Sequence, residues 1–169
     1  MNRIDTTLGF LTSYQHDPDD PMSLPSGKIT GLFKDSKGNL WVGTENGLAI
    51  NTSGTEFFTR PDNSAPSSVY EIKDFLEDEL GNIWVATFGG GLDIYAPGSG
   101  KIISNTFDFN NPYSISHNEV SCLCRDNTGI IWVGTYGLDK YNPKKEKFKL
   151  YDYIPNAKEN IAFKSIYSI

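Results

Sequence analysis

Five side chains are suited to hold a polar, ring-shaped ligand. Phe88 and Tyr136 carry aromatic rings of the kind that stack on the apolar face of a sugar. Asn46, His117 and Asn118 offer hydrogen-bond donors and acceptors. These five residues are therefore the candidates if the chain has a ligand site. The alternative is that Phe88 and Tyr136 pack under loops and that His117 occupies a turn, as loop residues of these types often do.

Catalytic chemistry has little support in the sequence. Asp17, Asp19 and Asp20 lie close to His16, as an acid working with a base would require. Prolines on both sides of this run indicate turn formation instead. We therefore predict that the chain has no catalytic residues and needs no cofactor.

The two cysteines indicate neither a disulfide nor a metal centre. Cys122 and Cys124 are two residues apart in a predicted strand, so their side chains point to the same face. Their Cα atoms would be about 6.5–7 Å apart, at or beyond the limit for a disulfide. No Cys/His spacing suits a metal ion. We expect two reduced thiols in the core and no metal site.

A phrase that occurs three times defines the elements that must position these side chains. Asp-x-x-Gly-x-x-Trp recurs with its tryptophans 43 and 48 residues apart. A repeat of that length, built from short β-type runs between turn residues, is typical of a β-propeller blade. The repeated structural positions are Asp35, Gly38, Trp41, Asp78, Gly81, Trp84, Asp126, Gly129 and Trp132.

Each copy of the phrase predicts one four-stranded antiparallel blade. In the first copy, turn residues separate β-type runs at residues 29–33, 40–44, 48–51 and 56–59. The aspartate should accept backbone N–H groups at the start of the first turn, and the glycine should supply the positive φ at its end. The tryptophan should wedge between neighbouring blades, where burial of its ring is worth a few kcal/mol at about 25 cal/mol/Å².

The predicted fold class is therefore all-β. We expect four-stranded antiparallel β-propeller blades, about three of them full, with partial blades at both ends, as in a fragment of a larger propeller. The predicted units are residues 1–16 (third and fourth strands of a preceding blade), 29–60, 69–109 and 119–153 (blades), and 163–169 (first strand of the next blade).

An incomplete ring would leave sheet faces and edges uncovered. A closed propeller needs about 4–8 blades. We therefore expect a longer parent protein, self-association into a dimer, or both. Under this interpretation Met1 is an artificial start or the start of a truncated gene.

The composition limits the partners and the location. The net charge is −6 and the chain has only three arginines, which argues against a nucleic-acid partner. No apolar run approaches the 18 or so residues of a transmembrane helix, and the N-terminus does not have the pattern of a signal peptide. Any membrane attachment would depend on segments of the parent protein that are missing here.

The predicted site lies where the copies differ most. The turn between the second and third strands spans residues 45–47, then 88–91, then 136–137. In a propeller this turn lies on the same face as the links between blades. Variable loops on a repeated scaffold usually carry binding specificity.

The repeated phrase also resembles that of a known family. Asp-x-x-Gly-Asn-[Leu/Ile]-Trp-Val-[Gly/Ala]-Thr, followed by Gly-Leu and an Asp-Pro-x-Ser-Leu link, is similar to the two-component regulator propeller repeat. The resemblance covers nearly the whole chain. It implies the periplasmic sensor region of a hybrid two-component histidine kinase. Many such sensors respond to oligosaccharides and regulate polysaccharide-utilisation genes. A scaffold propeller that binds only protein is the alternative.

A second resemblance is weaker. The phrase looks like the sialidase Asp-box, Asp-x-Gly-x-x-Trp, lengthened by one residue. Sialidase-type chemistry would also need a cluster of arginines and a tyrosine nucleophile. Arg3, Arg60 and Arg125 fall at unrelated positions of the blades. The sequence therefore predicts that this chain is not an enzyme, while the parent protein would resemble a histidine kinase.

Overall fold

The computed structural model describes residues 1–7, 9–61, 65–96, 100–143 and 147–151. A short 3-10 turn, Pro66–Ser68, precedes the sixth strand. The strands are β1 (Asn2–Ile4), β2 (Leu11–Ser13), β3 (Ile29–Lys34), β4 (Leu40–Thr44), β5 (Gly47–Asn51), β6 (Glu71–Glu77), β7 (Ile83–Phe88), β8 (Gly91–Ala96), β9 (Lys101–Asn105), β10 (Cys122–Arg125), β11 (Ile131–Gly134), β12 (Leu138–Asn142) and β13 (Lys147–Tyr151).

The strands form four separate sheets in which sequence neighbours pair. We call these sheets blade 0 (β1–β2), blade 1 (β3–β5), blade 2 (β6–β9) and blade 3 (β10–β13). Every pairing within them is antiparallel. The predicted all-β class is confirmed, and blades 2 and 3 have the predicted four strands. The strand predicted at residues 163–169 lies outside the described residues.

The fourth strand predicted for blade 1, at residues 56–59, is wrong. Thr59 makes only an isolated bridge to β5. The side-chain amide of Asn51 donates a hydrogen bond of 2.9 Å to the carbonyl of Phe57, which bends the segment into a loop. Phe58 then turns into the core, where it is 3% exposed. The Asn51 amide thus binds the Phe57 carbonyl, which in a paired strand would accept a backbone N–H group.

A hydrogen bond from the tryptophan indole to the aspartate carboxylate closes the turn of each repeat. Asp35 Oδ1 accepts from the backbone N–H groups of Lys37 and Asn39, and Asp35 Oδ2 accepts from Trp41 Nε1 at 2.9 Å. Gly38 has a φ of +87°, as the turn predicts. The carboxylate therefore fixes both the turn and the direction of the ring. The same indole bond, 3.0 Å long, joins Asp78 to Trp84 and Asp126 to Trp132.

β7, one of the two inner strands of blade 2, is buried on both faces. Ile83 and Val85 lie in the core between blades 1 and 2. Trp84 and Ala86, which alternate with them along β7, lie in the core between blades 2 and 3. This two-residue period sends successive side chains into different interfaces. An uninterrupted apolar run is therefore what a stacked blade requires.

Trp41 and Trp84 wedge between consecutive blades, as predicted. Trp41 meets Tyr95 of blade 2 edge to face, with ring centroids 5.4 Å apart, and Trp84 meets Tyr141 of blade 3 at 5.0 Å. Two residues after Trp41, Gly43 faces the next sheet so closely that an added Cβ would lie 2.8 Å from Ile72. The large ring and the small residue thus set the spacing of the sheets.

The cysteines are unbridged, and they differ in burial. Cys122 is buried and Cys124 is half-buried, so the predicted core position holds fully only for Cys122. Burial and, secondarily, the nearby Asp74 carboxylate raise the pKa of Cys122 to about 11. Its thiol therefore stays protonated and unreactive near neutral pH.

Replacement of Trp84 by alanine should destabilise the fold strongly. The change removes a 2% exposed ring and leaves a cavity between blades 2 and 3, so we expect a loss of about 3–5 kcal/mol in unfolding free energy. Chemical denaturation measures it. Trp132→Ala, at the half-buried copy, should cost less. Equal losses, or a midpoint for Trp84→Ala near that of the wild type, would refute the wedge.

The turn carboxylate of blade 3 should make stability depend on acid pH. Hydrogen bonds, first from the Thr128 hydroxyl, lower the pKa of Asp126 from its ordinary value of 3.8 to about 2. The ionised form is thus favoured in the folded state, and its contribution is lost as pH falls through about 4 to 2. Asp126→Asn should flatten the stability–pH curve over that window, measured by denaturation at several pH values.

The neighbouring Asn127→Ala provides the control for this prediction, because it alters the same turn without removing a titratable group. Its stability difference from the wild type should stay constant over the acid window. A pH dependence of Asp126→Asn equal to that of the wild type would contradict the role given to Asp126.

Candidate functional site

We call the surface formed by residues 45–47, 66–71, 88–91, 117–119 and 136–137 the loop end of the blades. A buried threonine within one residue of the end of each second strand shapes it. Thr44 and Thr87 donate 2.8 Å hydrogen bonds from Oγ1 to the carbonyls of Gly47 and Gly91. Thr135 does the same to the carbonyl of Gly137 at 3.2 Å. The same threonine-to-glycine hydrogen bond therefore closes turns of different lengths in the three blades.

The link into blade 3 is anchored by a buried carboxylate. Asp139 Oδ2 accepts hydrogen bonds from the backbone N–H and the hydroxyl of Ser116, at 2.9 and 2.8 Å. Burial raises the pKa of Asp139, although both hydrogen bonds from Ser116 oppose that shift. In blade 2 the backbone N–H of Ser67 donates in the same way to Asp93 at 2.8 Å. The links are therefore fixed to the third strands beneath them.

The same link then crosses the end of blade 2. The backbone N–H groups of Gly89 and Gly91 donate to the carbonyl of Asn118, at 3.0 and 2.9 Å. The next residue, Glu119, forms an isolated antiparallel bridge with Phe88. Asn118 Oδ1 also accepts the backbone N–H of Phe107 at 2.7 Å. Asn118 thus holds the loops together, which the sequence did not indicate.

His117, Glu119 and Tyr136 form a connected group. The His117 and Tyr136 rings meet edge to face with centroids 4.6 Å apart. Tyr136 donates its hydroxyl to Glu119 Oε2 at 2.7 Å. The Glu119 backbone N–H donates to His117 Nδ1 at 3.1 Å, so in the neutral ring the proton lies on Nε2. The Tyr136 ring remains 57% exposed.

Phe88 offers an exposed ring with a cation already against it. The ring is 46% exposed, and Lys73 Nζ lies 5.3 Å from its centroid. Lys73 also pairs with Glu71 at 3.1 Å. The register of β6 against β7 shifts between Ile72 and Asp74, so Lys73 occupies a β-bulge. Bulges redirect a side chain, and they are frequent next to functional sites.

The structure brings together four of the five predicted ligand residues. Phe88, His117, Asn118 and Tyr136 are joined through Glu119 and the loop hydrogen bonds. Asn46 instead lies exposed on the turn of blade 1, where its backbone N–H donates to the Thr44 hydroxyl. The binding role of all five remains a prediction.

Sequence reasoning missed three charged residues at this site. Glu71 and Glu119 each immediately precede a buried apolar residue, Ile72 and Val120, and Lys73 follows Glu71 by two positions. Alignment of the repeats could have revealed the shared position of the two glutamates. The bulge that directs Lys73 has no sequence signal that we recognise.

Concave surfaces lie at the opposite end of the blades, which we call the turn end. One groove of about 420 Å³ lies between the turns of blades 2 and 3, and a more open one of about 780 Å³ lies between blades 1 and 2. The first is lined by Asp78, Glu79, Leu80, Thr128, Gly129, Ile130, Asn142 and Pro143. The lining of this first groove includes no aromatic side chain, whereas that of the second includes Phe33 and Phe75.

A metal site would require a cluster of ligand side chains within the described ranges, and a membrane span would require a long apolar helix. No group of three His, Cys, Asp or Glu side chains there is arranged to hold a metal ion. No helix among those residues is long and apolar enough to span a membrane.

Residues 23–46 and 114–137 match the family model described as two component regulator propeller. These stretches include the first and third copies of the Asp-x-x-Gly-x-x-Trp phrase together with their preceding links. Each of these two stretches is similar to a two-component regulator propeller repeat. The regulator propeller resemblance inferred from the sequence is therefore confirmed.

Longer proteins contain related segments. The chain is 32% identical over 101 residues to histidine kinase P4 from Formosa agariphila, a match covering 56% of this chain and 7% of that protein. It also matches the extracellular domain of a protein assigned as a hybrid two-component system from B. thetaiotaomicron, with 27% identity and a TM-score of 0.67. That match covers 88% of this chain and 20% of the other.

The propeller fold itself extends to proteins of other functions. The extracellular domain of a protein assigned as a one-component system from B. thetaiotaomicron has a TM-score of 0.75 at 22% identity, over 99% of this chain and 22% of the other. Virginiamycin B lyase from Staphylococcus aureus has a TM-score of 0.60 at 18% identity, over 92% and 48%. At these identities the likeness shows the fold alone, and this fold hosts both sensors and enzymes.

Loss of the Ser116 hydroxyl should destabilise the link that carries His117 and Asn118. Ser116→Ala deprives the buried Asp139 carboxylate of one donor, so we expect a cost of about 1–3 kcal/mol in unfolding free energy. Ser114→Ala removes a hydroxyl bonded to the exposed Asp108 of the same link and should cost less. Chemical denaturation compares them. A Ser116→Ala cost no larger than that of Ser114→Ala would contradict the anchoring role.

Proposed function

We propose that this chain forms part of the periplasmic signal-input propeller of a hybrid two-component sensor histidine kinase. The signal would be an oligosaccharide, and the output would be the transcription of polysaccharide-utilisation genes. The chain itself would bind and would not catalyse. The kinase activity would belong to other parts of the parent protein.

The observation that carries this proposal is the combination of regulator propeller repeats with similarity to an extracellular sensor-type domain. That domain is 27% identical over 88% of this chain. The similarity to histidine kinase P4 points to the same type of protein. An extracellular relative supports a periplasmic location for this chain.

The arrangement of the loop end supports a saccharide as the ligand. Phe88 and Tyr136 present exposed rings that can cover the apolar face of a pyranose. His117 can donate from Nε2, and Glu119 can accept from sugar hydroxyl groups. Aromatic platforms bordered by a few fixed polar groups are the usual composition of a small-ligand site.

Phe88→Ala should abolish most saccharide binding without unfolding the blade. Loss of one stacking ring of this kind should weaken binding by about 10-fold, since tenfold corresponds to about 1.4 kcal/mol. The measurement is retention on a glycan array followed by calorimetry with the retained oligosaccharides. Phe109→Ala is the control, because Phe109 is 89% exposed but lies on the link outside the loop-end group.

Three results would count against the proposal. If the array retains the chain with no oligosaccharide, the proposal that the signal is an oligosaccharide is wrong. Equal affinities of the wild type and Phe88→Ala for the oligosaccharide would show that the binding site does not include Phe88. Equal weakening by Phe109→Ala would show that the effect is not specific to the loop end.

A protein-binding scaffold is the second candidate. The link between blades 2 and 3 exposes three aromatic side chains: Phe107 (46%), Phe109 (89%) and Tyr113 (52%). Exposed aromatic groups of this kind are enriched where proteins meet. Under this alternative the chain would bind a protein through the link and would retain no glycan.

A further inference from the structure

The loop end carries a row of three side chains across the boundary of blades 2 and 3. Phe88 lies opposite Glu71 in the β6–β7 register and opposite Glu119 in the isolated bridge. Residues directly opposite in antiparallel pairs send their side chains to the same face. The exposed Phe88 ring is therefore flanked by a carboxylate on each side.

The ammonium group of Lys73 already lies against Phe88 and Glu71 of this row. Lys73 Nζ lies 5.3 Å from the centroid of the Phe88 ring and 3.1 Å from Glu71 Oε1. The β-bulge places it there. An ammonium group over an aromatic face beside a carboxylate is the arrangement in which proteins bind cationic ligands. Lys73 shows that the position is suited to an ammonium group.

The surrounding charges favour a further cation over an anion. Three carboxylates, Glu45, Glu71 and Glu119, face two ammonium groups, Lys28 and Lys73. Lys28 pairs with Glu45, and hydrogen bonding and charge from Glu45, followed by the charge of Glu71, raise the pKa of Lys28. Within the described residues the carboxylate of Glu119 accepts from the Tyr136 hydroxyl and has no cationic partner.

We propose that the loop end selects a saccharide bearing a protonated primary amine, which binds over Phe88 between Glu71 and Glu119. Lys73 acts as an internal stand-in for that amine and competes with it for the ring. This proposal rests on the proposed saccharide-binding function and specifies the chemical class of the ligand. A uronate or sulfated saccharide would meet the carboxylates and would be repelled.

The test compares two tetrasaccharides that share one backbone and differ only at the 2-position, which carries a protonated amine in one and a neutral acetamide in the other. A β-1,4-linked glucosamine tetramer and its fully N-acetylated counterpart are titrated into the chain by calorimetry, in mildly acidic buffer that protonates the amines. We expect the amine form to bind about 5-fold more tightly, by its added cation–π and carboxylate contacts. The preference should shrink as salt is raised, because the loop end is exposed.

Two substitutions separate the stand-in role of Lys73 from an anion-binding role. Lys73→Met should strengthen binding of the glucosamine tetramer by about 3-fold, since it removes the competing ammonium group and retains the apolar stem. Glu119→Gln should weaken that binding several-fold and leave the N-acetylated tetramer nearly unaffected. Lys37→Met, in the turn at the opposite end of blade 1, is the matched control and should change neither affinity.

The outcomes distinguish this inference from the proposed function. If the N-acetylated tetramer or an oligouronate binds as tightly as the amine form, or if Lys73→Met weakens binding of the amine form, the amine preference is wrong and saccharide binding stands. If neither tetramer binds but the glycan array retains another neutral oligosaccharide, the inference again fails alone. If no saccharide binds at all, both proposals fail.

Discussion

The fold depends on the hydrogen bond between an aspartate carboxylate and the indole six residues later. In Asp35 and Trp41 this bond is 2.9 Å long, and the carboxylate also accepts backbone N–H groups of its turn. One side chain thus closes the first hairpin and directs the large ring into the next blade. Burial raises the pKa of Asp35, but the hydrogen bonds, first that from Trp41, lower it by more. The carboxylate therefore stays ionised, which strengthens these bonds.

This hydrogen bond limits sequence variation at the turn end of the blades but not at the loop end. At the turn end every copy must preserve Asp, Gly and Trp, so little room remains for variation. At the loop end the threonine bond to a glycine carbonyl closes turns of unequal length. Phe88 and Tyr136, which follow these threonines directly, are free to differ from blade to blade. A rigid repeated base with a variable rim suits a binding module.

The sequence predicted those features that a local pattern determines. The blades, the Asp-x-x-Gly turns and the wedged Trp41 and Trp84 follow from spacing and from residue chemistry, and the structure confirms them. The missing fourth strand of blade 1 was not predictable, because it depends on the Asn51 amide capturing a carbonyl of the next segment. At the site, the sequence indicated the aromatic rings but not Glu71, Lys73 and Glu119. Their convergence arises from cross-strand register and a bulge, which are tertiary properties.

The central claim is that ligand recognition occurs at the loop end of blades 2 and 3. The most direct test is to map backbone amide shifts by NMR while the chain is titrated with an oligosaccharide retained on the glycan array. The account predicts that the perturbed amides cluster at residues 88–91, 117–119 and 136–137. A cluster at residues 78–80 and 128–130, beside the groove of about 420 Å³, would contradict it and would place recognition at the turn end.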